Sequence, residues 1–520
     1  MSRRRKISII GVIIFGLMIL IPVIRHYQLR GATEAYVTEL KGHGEPMELA
    51  QVLPPPVPPE QNSADTLRTA DEMFGASFRA EKSLLETNFV YGARMVSPGK
   101  AMVLWQQPDI RDIDGTNSWE NLTAAVMQNA KAFASLQQII EKPAFGFPIN
   151  YDQGVADLAF TNLHLVESKR SASRLETATL CALHQGDTAL AAKNLRAMLA
   201  LVKAMREERL AISELVRIAM VQIAFTANWE FLQSSNLTDK QLAELQQDWM
   251  GLDFIRSYES AMVMERVTER ITAAKWRGSD SNLQNYLQIW TKLGLSDHEE
   301  SGLDKLRVKT KVFLWRYWWS YPDEVRSLKI YQAFLGTVRI AETNYSFKTA
   351  IIHQKEELAT LKLNQTNSYD DFFLNPAKAD MHSILSQGVK SMSAVFDKVM
   401  KAETAKQIAI TAIALKRYQL NHGKNPPDLN SLGPKFVSDV PLDPVDGQPL
   451  RYRLNADGTF LLYSVGENGV DDGGSPALES GVTSSTFNWQ NPHALDWVWP
   501  QPATAAEIQK YYEEQAKKAE

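Results

Sequence analysis

Four consecutive basic residues, Arg3-Arg-Arg-Lys6, open the chain and lead straight into an apolar run from Ile7 to Ile24. A run of about 18 apolar residues is roughly 27 Å long as a helix, enough to cross the hydrocarbon core of a bilayer. The run therefore predicts a transmembrane anchor at 7–24 behind a short basic tail at 1–6. Only Arg25 and Arg30 follow closely on the other side. This imbalance of positive charge orients the N-terminus to the cytoplasm and the rest of the chain outward. A cleaved signal peptide is the alternative, but Ile24 is followed by Arg-His-Tyr-Gln-Leu-Arg, without the small-x-small pattern of a cleavage site. The expected location is the bacterial inner (cytoplasmic) membrane, single-pass, with the bulk of the chain periplasmic.

Composition limits what the outward part can be. The 520 residues carry 56 Lys and Arg against 60 Asp and Glu, a formal charge of -4 without the basic excess that phosphate neutralisation needs. No nucleic-acid partner is expected. The single cysteine, Cys181, excludes an intrachain disulfide framework and any all-cysteine metal site. A mean hydropathy of -0.26 excludes a polytopic membrane protein.

Residues 25–62 read as a polar and proline-rich spacer. Pro54-Pro-Pro-Val-Pro-Pro59 favours a stiff, extended polyproline segment that would hold the main domain off the membrane. From Ser63 the pattern turns helical, and 63–378 is expected as an α-helical domain of one or two subdomains. Pro-, Gly- and Asp-rich stretches between Val96 and Asp114 mark loops, and helices resume from Trp119 to Glu141. Leu163, Val166, Arg170, Arg174, Ala178 and Cys181 step by three and four. His184-Gln-Gly-Asp187 then breaks the helix before Ala189 to Met205 resumes it, which predicts an αα-hairpin. A third helix is expected from Ala211 to Phe231, and a long one from about Ala379 to Asn421.

Past Asn421 the period changes from helical to alternating. Leu450, Tyr452 and Leu454 share one face of a strand, and a second strand runs from Phe460 to Val465. Asn455-Ala-Asp-Gly458 supplies the turn of an antiparallel hairpin. A Gly/Asp loop follows at Gly466 to Gly474, and 501–520 reads as a charged tail, with Glu507 to Glu520 expected as a frayed helix. The fold class expected is thus mainly α: a transmembrane helix, a large helical body and a small C-terminal α+β module at 379–500.

That module resembles the globular domain of the type II secretion major pseudopilins. The resemblance rests on Tyr418-x-x-x-x-Gly423-x-x-Pro426, Leu429-x-x-Leu432, Pro441-x-Asp443-Pro444-x-x-Gly447, Tyr452, and Leu462-Tyr-Ser-x-Gly466-x-x-Gly469 with Gly473-Gly474. It covers the last fifth to quarter of the chain. It implies a long helix leading into a small antiparallel sheet, with a structural calcium ion in the loop after the last strand. Ser464, Asp471, Asp472 and Asp496 fall at or near the matching places, and such a loop supplies the six to eight oxygens calcium favours. The chain departs from that family at Arg4-Arg-Lys-Ile-Ser-Ile-Ile-Gly11, which lacks the Gly-Phe-Thr-Leu-x-Glu peptidase junction, and in having a helical body. Gly44-Glu-Pro46, Pro58-Pro-Glu-x-Asn62, Gly186-Asp187 and the Tyr-Ser-x-Gly ending also resemble a large group of envelope proteins of Planctomycetes and Verrucomicrobia. No activity follows from that likeness.

Catalytic constellations are thin. The nine histidines form no His-Glu-x-x-His or paired helical spacing, and Gly75-Ala-Ser-Phe-Arg79 lacks the second glycine of a nucleophile elbow. Ser97-Pro-Gly-Lys100 cannot form the helical turn that would bring lysine to serine. Cys181 sits among Leu180, Ala182 and Leu183, as a buried, unreactive thiol would. The unusual local feature is Phe313-Leu-Trp-Arg-Tyr-Trp-Trp-Ser-Tyr321. Trp315, Tyr317, Trp318, Trp319 and Tyr321 could form a partner-binding platform, sit at a lipid interface, or simply pack on two sides of a helix. The function expected is an envelope scaffold or binding protein, associated with a type II secretion or pilus-like machine. The alternatives are an enzyme with a non-motif site in a helical groove, or an atypical pseudopilus-associated subunit.

Overall fold

The computed structural model describes residues 3–74, 95–112, 115–154, 163–279, 281–284, 309–310, 312–361, 385–386, 392–481 and 489–519. It is 67% helix, so the expected mainly α class holds. The first helix, α1 (Arg3–Gly42), carries the apolar run and continues unbroken for eighteen residues beyond Ile24. Among the described residues no helix is long and apolar enough to cross a membrane. The expected anchor, 7–24, falls largely on positions whose side chains lie outside the description. So do residues 75–94 of the helix expected from Ser63.

The expected αα-hairpin is present as α5 (Leu163–His184) and α6 (Thr188–Ala204). It follows α2 (Ala64–Met73), α3 (Trp119–Gln128) and α4 (Ala130–Gln137). Gly186 takes φ +77° at the turn, and the Asp187 carboxylate accepts the Leu190 N–H at 2.9 Å to start α6. Buried alanines (Ala172, Ala178, Ala182, Ala191, Ala197) let the two helices approach closely. On this pair lies α7 (Ala211–Leu232), buried on nearly every side, followed by α8 (Asp239–Met250) and α9 (Ile255–Gly278). A π-helical turn at Trp315–Trp319 opens α10 (Ser320–Asn344), which packs on α9, on α11 (Phe347–Thr360) and on α1.

The long helix is α12 (Met392–His422). It lies against α7 and α8, with Val399, Ala402, Ala405, Ile408, Ala409 and Ile413 fully buried. It is therefore a central element of the body. The cluster of buried apolar residues runs without a break from Leu67 on α2 through Phe225 on α7 and Ile413 on α12 to Trp499. Residues 63–378 and 379–500, expected as separate domains, share this core.

The hairpin pairs β5 (Arg451–Leu454) with β6 (Phe460–Ser464) in the register Leu454 to Phe460. A short strand, β7 (Trp497–Val498), adds to the other edge of β6. Two further differences follow. The stretch 96–114, expected as loops, contains β1 (Met95–Ser97), β2 (Lys100–Ala101) and β3 (Ile110–Asp112), the last paired with β4 (Gly115–Asn117). Strands of two or three residues are too short for a period of two to show. The charged tail adds β8 (Gln501–Pro502), parallel to β2, and the helix expected from Glu507 is present as α13 (Ala505–Ala519). Thr504 and Glu507 form a reciprocal cap on α13, and Ile508, Tyr511 and Tyr512 pack on Met102, Trp119 and Cys181.

The expected spacer, 25–62, lies on the body. Val37 and Leu40 pack with Met47 against Leu328 of α10, and Arg209 donates to the Val52 carbonyl at 2.9 Å. Glu45 pairs with fully buried Arg266 at 3.0 Å and with Arg339 at 2.6 Å. Burial alone would raise the Glu45 carboxyl. The hydrogen bond from Arg339 and the charge of Arg266 outweigh it and hold the group at about 2. Such anchoring by two guanidinium groups is not visible in a proline pattern.

Candidate functional site

The C-terminal module is organised around one buried carboxylate. Asp443 sits in the Pro441–Gly447 turn and accepts the backbone N–H groups of Val445 and Val465, each at 3.0 Å, and the Ser464 hydroxyl at 2.9 Å. Arg451 reaches the same carboxylate at 3.3 Å and Asp446 at 2.6 Å. Burial pushes Asp443 up to about 6, against the pull of the Val465 and Val445 N–H groups. The turn also seals the start of α11: Phe347 and Lys348 donate to the Pro444 and Val445 carbonyls at 2.9 and 2.8 Å. Gly447, at φ +75°, permits this approach, because a Cβ there would lie 3.2 Å from the Asn344 carbonyl oxygen. Asp443→Asn is expected to cost about 1–2 kcal/mol at pH 5, since an amide cannot accept on both sides, and less at pH 8, where it also removes a buried charge. Urea denaturation of the full chain in detergent measures it.

In this arrangement each of the four residues expected to hold calcium has a partner within the protein. Ser464 is turned inward to Asp443. Asp496 accepts the N–H groups of Gly474 and Ser475 at 2.9 Å each and that of Asp472 at 3.4 Å, closing the loop on itself. Asp471 accepts the Tyr463 hydroxyl at 2.9 Å and lies 3.5 Å from Arg451, while Asp472 accepts from Asn468 at 3.1 Å. Among the described residues, no group of three or more His, Cys, Asp or Glu is gathered as for a metal ion.

Where the module meets the helices there is a cavity of about 190 Å³, walled by Leu232, Ala412, Phe460, Trp499, Pro500 and Pro502. Lys416, Gln233, Gln419, Asn425 and Gln501 supply its polar groups. Burial lowers the Lys416 ammonium, and no ion pair offsets it among the described residues. At roughly 30 Å³ per water the space holds about six waters or one small acyl, amide or carboxylate group. Among the described residues, its polar lining is a lone amine and neutral amides. Its residues come from four separated segments, so no spacing announces it.

The aromatic run divides by side. Trp315 is fully buried, with its indole N–H donating to Asp323 at 2.8 Å, and packs with Trp276 and Leu385; Trp319 adjoins this cluster. Phe313, Tyr317 and Trp318 face outward. Tyr321 lies under the Arg277 guanidinium at 4.4 Å and meets the His26 ring of α1 edge-on at 5.1 Å. Of the five residues expected as one platform, Trp315 thus belongs to the core and Tyr317 and Trp318 to the surface.

No family model, no curated protein and no solved structure matches the chain.

Proposed function

We propose that this chain is a membrane-anchored, periplasm-facing scaffold or binding protein. The observation that carries the reading is the continuity of α1: one helix runs from the apolar segment to Gly42, where Val37 and Leu40 pack into the body. A body fixed to its anchor suits a static presenter better than a tethered catalyst. The lone amine and neutral amides that line the 190 Å³ cavity among the described residues suit binding of a small polar group there. A secretion or pilus-like machine is the proposed partner, on the strength of the Pro441–Gly447 and Leu462–Gly469 motifs alone. Alkaline carbonate treatment of membranes tests the anchor. The full chain is expected in the pellet and a chain lacking residues 1–24 in the supernatant; release of both overturns the reading.

Calcium at the Gly466–Gly474 loop belongs to the same proposal. Uptake would require Asp471 to exchange Arg451 and Tyr463 for the ion, and Asp472 and Asp496 to join it. Added calcium is then expected to raise the Tm of the full chain, EDTA to reverse the rise, and Asp472→Ala to abolish it. A Tm that calcium leaves unchanged removes the ion from the account.

A further inference from the structure

The first exposed turns of α1 and the outward half of the aromatic run form one surface. Leu20, Val23, Ile24 and Tyr27 are spaced i, i+3, i+4, i+7, a single stripe on a helix, and all are exposed. His26 and Thr33, on the body-facing side, reach the carbonyls of Tyr317 at 3.3 Å and Tyr321 at 3.5 Å. This contact fixes the aromatic run at the height of the helix where the apolar run ends, because His26 is about 3 Å along the axis from Ile24. Phe313, Tyr317 and Trp318 are 39–53% exposed at that level, and Tyr27 is 66% exposed. Arg316, at the centre of the run, donates to the Arg277 carbonyl at 2.5 Å, which holds the π-helical turn against α9. Arg25 and Arg30 flank the surface and are exposed.

We infer that Tyr27, Phe313, Tyr317 and Trp318 are a membrane-interface platform that seats the body on the outer headgroup layer of the bilayer its anchor crosses. The inference rests on the anchor reading. Continuity with the apolar run names the occupant: a surface that begins where a hydrocarbon-spanning length ends lies at headgroup depth. Tyrosine and tryptophan are the side chains that favour that layer, with an apolar ring and a polar edge. Arginines beside them suit the phosphate of phospholipid headgroups. The body then leans on the membrane, in place of standing away from it on a spacer.

The test uses the full chain with Cys181→Ala, carrying either Trp318→Cys or Phe15→Cys labelled with an environment-sensitive fluorophore, in vesicles of phosphatidylethanolamine and phosphatidylglycerol. The Trp318 label is expected to emit to the blue of its position in detergent. It should be quenched strongly by lipid bearing a nitroxide near the headgroup and weakly by aqueous iodide. The Phe15 label is expected to be quenched by nitroxide near the chain end. Quenching at Phe15 with an iodide-accessible, lipid-insensitive Trp318 label overturns the platform and leaves the anchor standing. A Trp318 label shielded from both quenchers means that another protein surface, such as a second copy, covers the patch, and also overturns it. An unquenched Phe15 label overturns the anchor reading itself.

Discussion

Trp229→Ala is expected to destabilise the whole chain by about 3–5 kcal/mol, the range for deleting a fully buried large aromatic. Trp229 lies on α7 with no exposed surface, and its indole N–H donates to the Pro500 carbonyl at 2.9 Å. One turn earlier, Phe225 stacks on Trp489 at 4.2 Å and meets Trp499 edge-on at 5.4 Å. A further turn back, the Gln222 amide donates to Gln490 at 3.1 Å. Positions 222, 225 and 229 form one face of α7, and that face seats the C-terminal residues. The loss should therefore appear as a single shifted transition in urea, followed by both far-UV circular dichroism and tryptophan fluorescence. Two separate transitions, with the helical signal unmoved, would show that the C-terminal module folds as its own unit.

The second large effect depends on pH. Glu265, buried on α9, accepts the Ala211 N–H at 2.9 Å, and burial pushes its carboxyl up to about 7. The neighbouring Glu269, engaged by Ser327 and Tyr331, is raised well above the usual range by the same cause. The folded state therefore holds the Glu265 proton more tightly than the unfolded chain, whose carboxyl titrates near 4.5. The stability that Glu265 contributes is greatest below that lower value and is lost as pH rises through about 7. At about 1.4 kcal/mol per unit, the difference amounts to about 3 kcal/mol at pH 8. Glu265→Gln keeps an oxygen for the Ala211 N–H and cannot ionise. It is expected to gain about 1–3 kcal/mol at pH 8 and to flatten the decline between pH 5 and 7. A residual slope should survive from Asp397 and Asp443, each pushed up to about 6 by burial. An unchanged slope in the variant would place the titration elsewhere.

Periodic elements were legible in the sequence because a helix or hairpin writes its period directly into side-chain order. The α5–α6 hairpin turned at Gly186-Asp187, and the β5–β6 hairpin turned at Asn455–Gly458, both appear where local chemistry puts them. Elements held by distant partners were not legible. Pro54–Pro59 reads as a free spacer until Arg209, over a hundred residues later, is seen on the Val52 carbonyl. The tail at 505–519 looks frayed until its tyrosines are placed on Met102 and Trp119. The same limit applies to the site. The carboxylates expected around calcium, Asp471 and Asp472 in the loop and the later Asp496, came from the resemblance and the loop's composition. The residue that organises that region, Asp443, lies in a separate turn and takes the Ser464 hydroxyl for itself. Its Pro441-x-Asp443-Pro444 setting was visible as a turn; its reach to β6 was not. In the aromatic run, composition showed seven apolar or aromatic side chains but not the π-helical turn that divides them between core and surface.

The account turns on which side of a membrane the body occupies. In a Cys181→Ala background, Ser2→Cys and the exposed Lys424→Cys can each be offered a membrane-impermeant maleimide in intact spheroplasts, before and after detergent lysis. The account predicts labelling of Lys424→Cys in intact cells and of Ser2→Cys only after lysis. Labelling of Ser2→Cys in intact cells, or protection of Lys424→Cys until lysis, would contradict it.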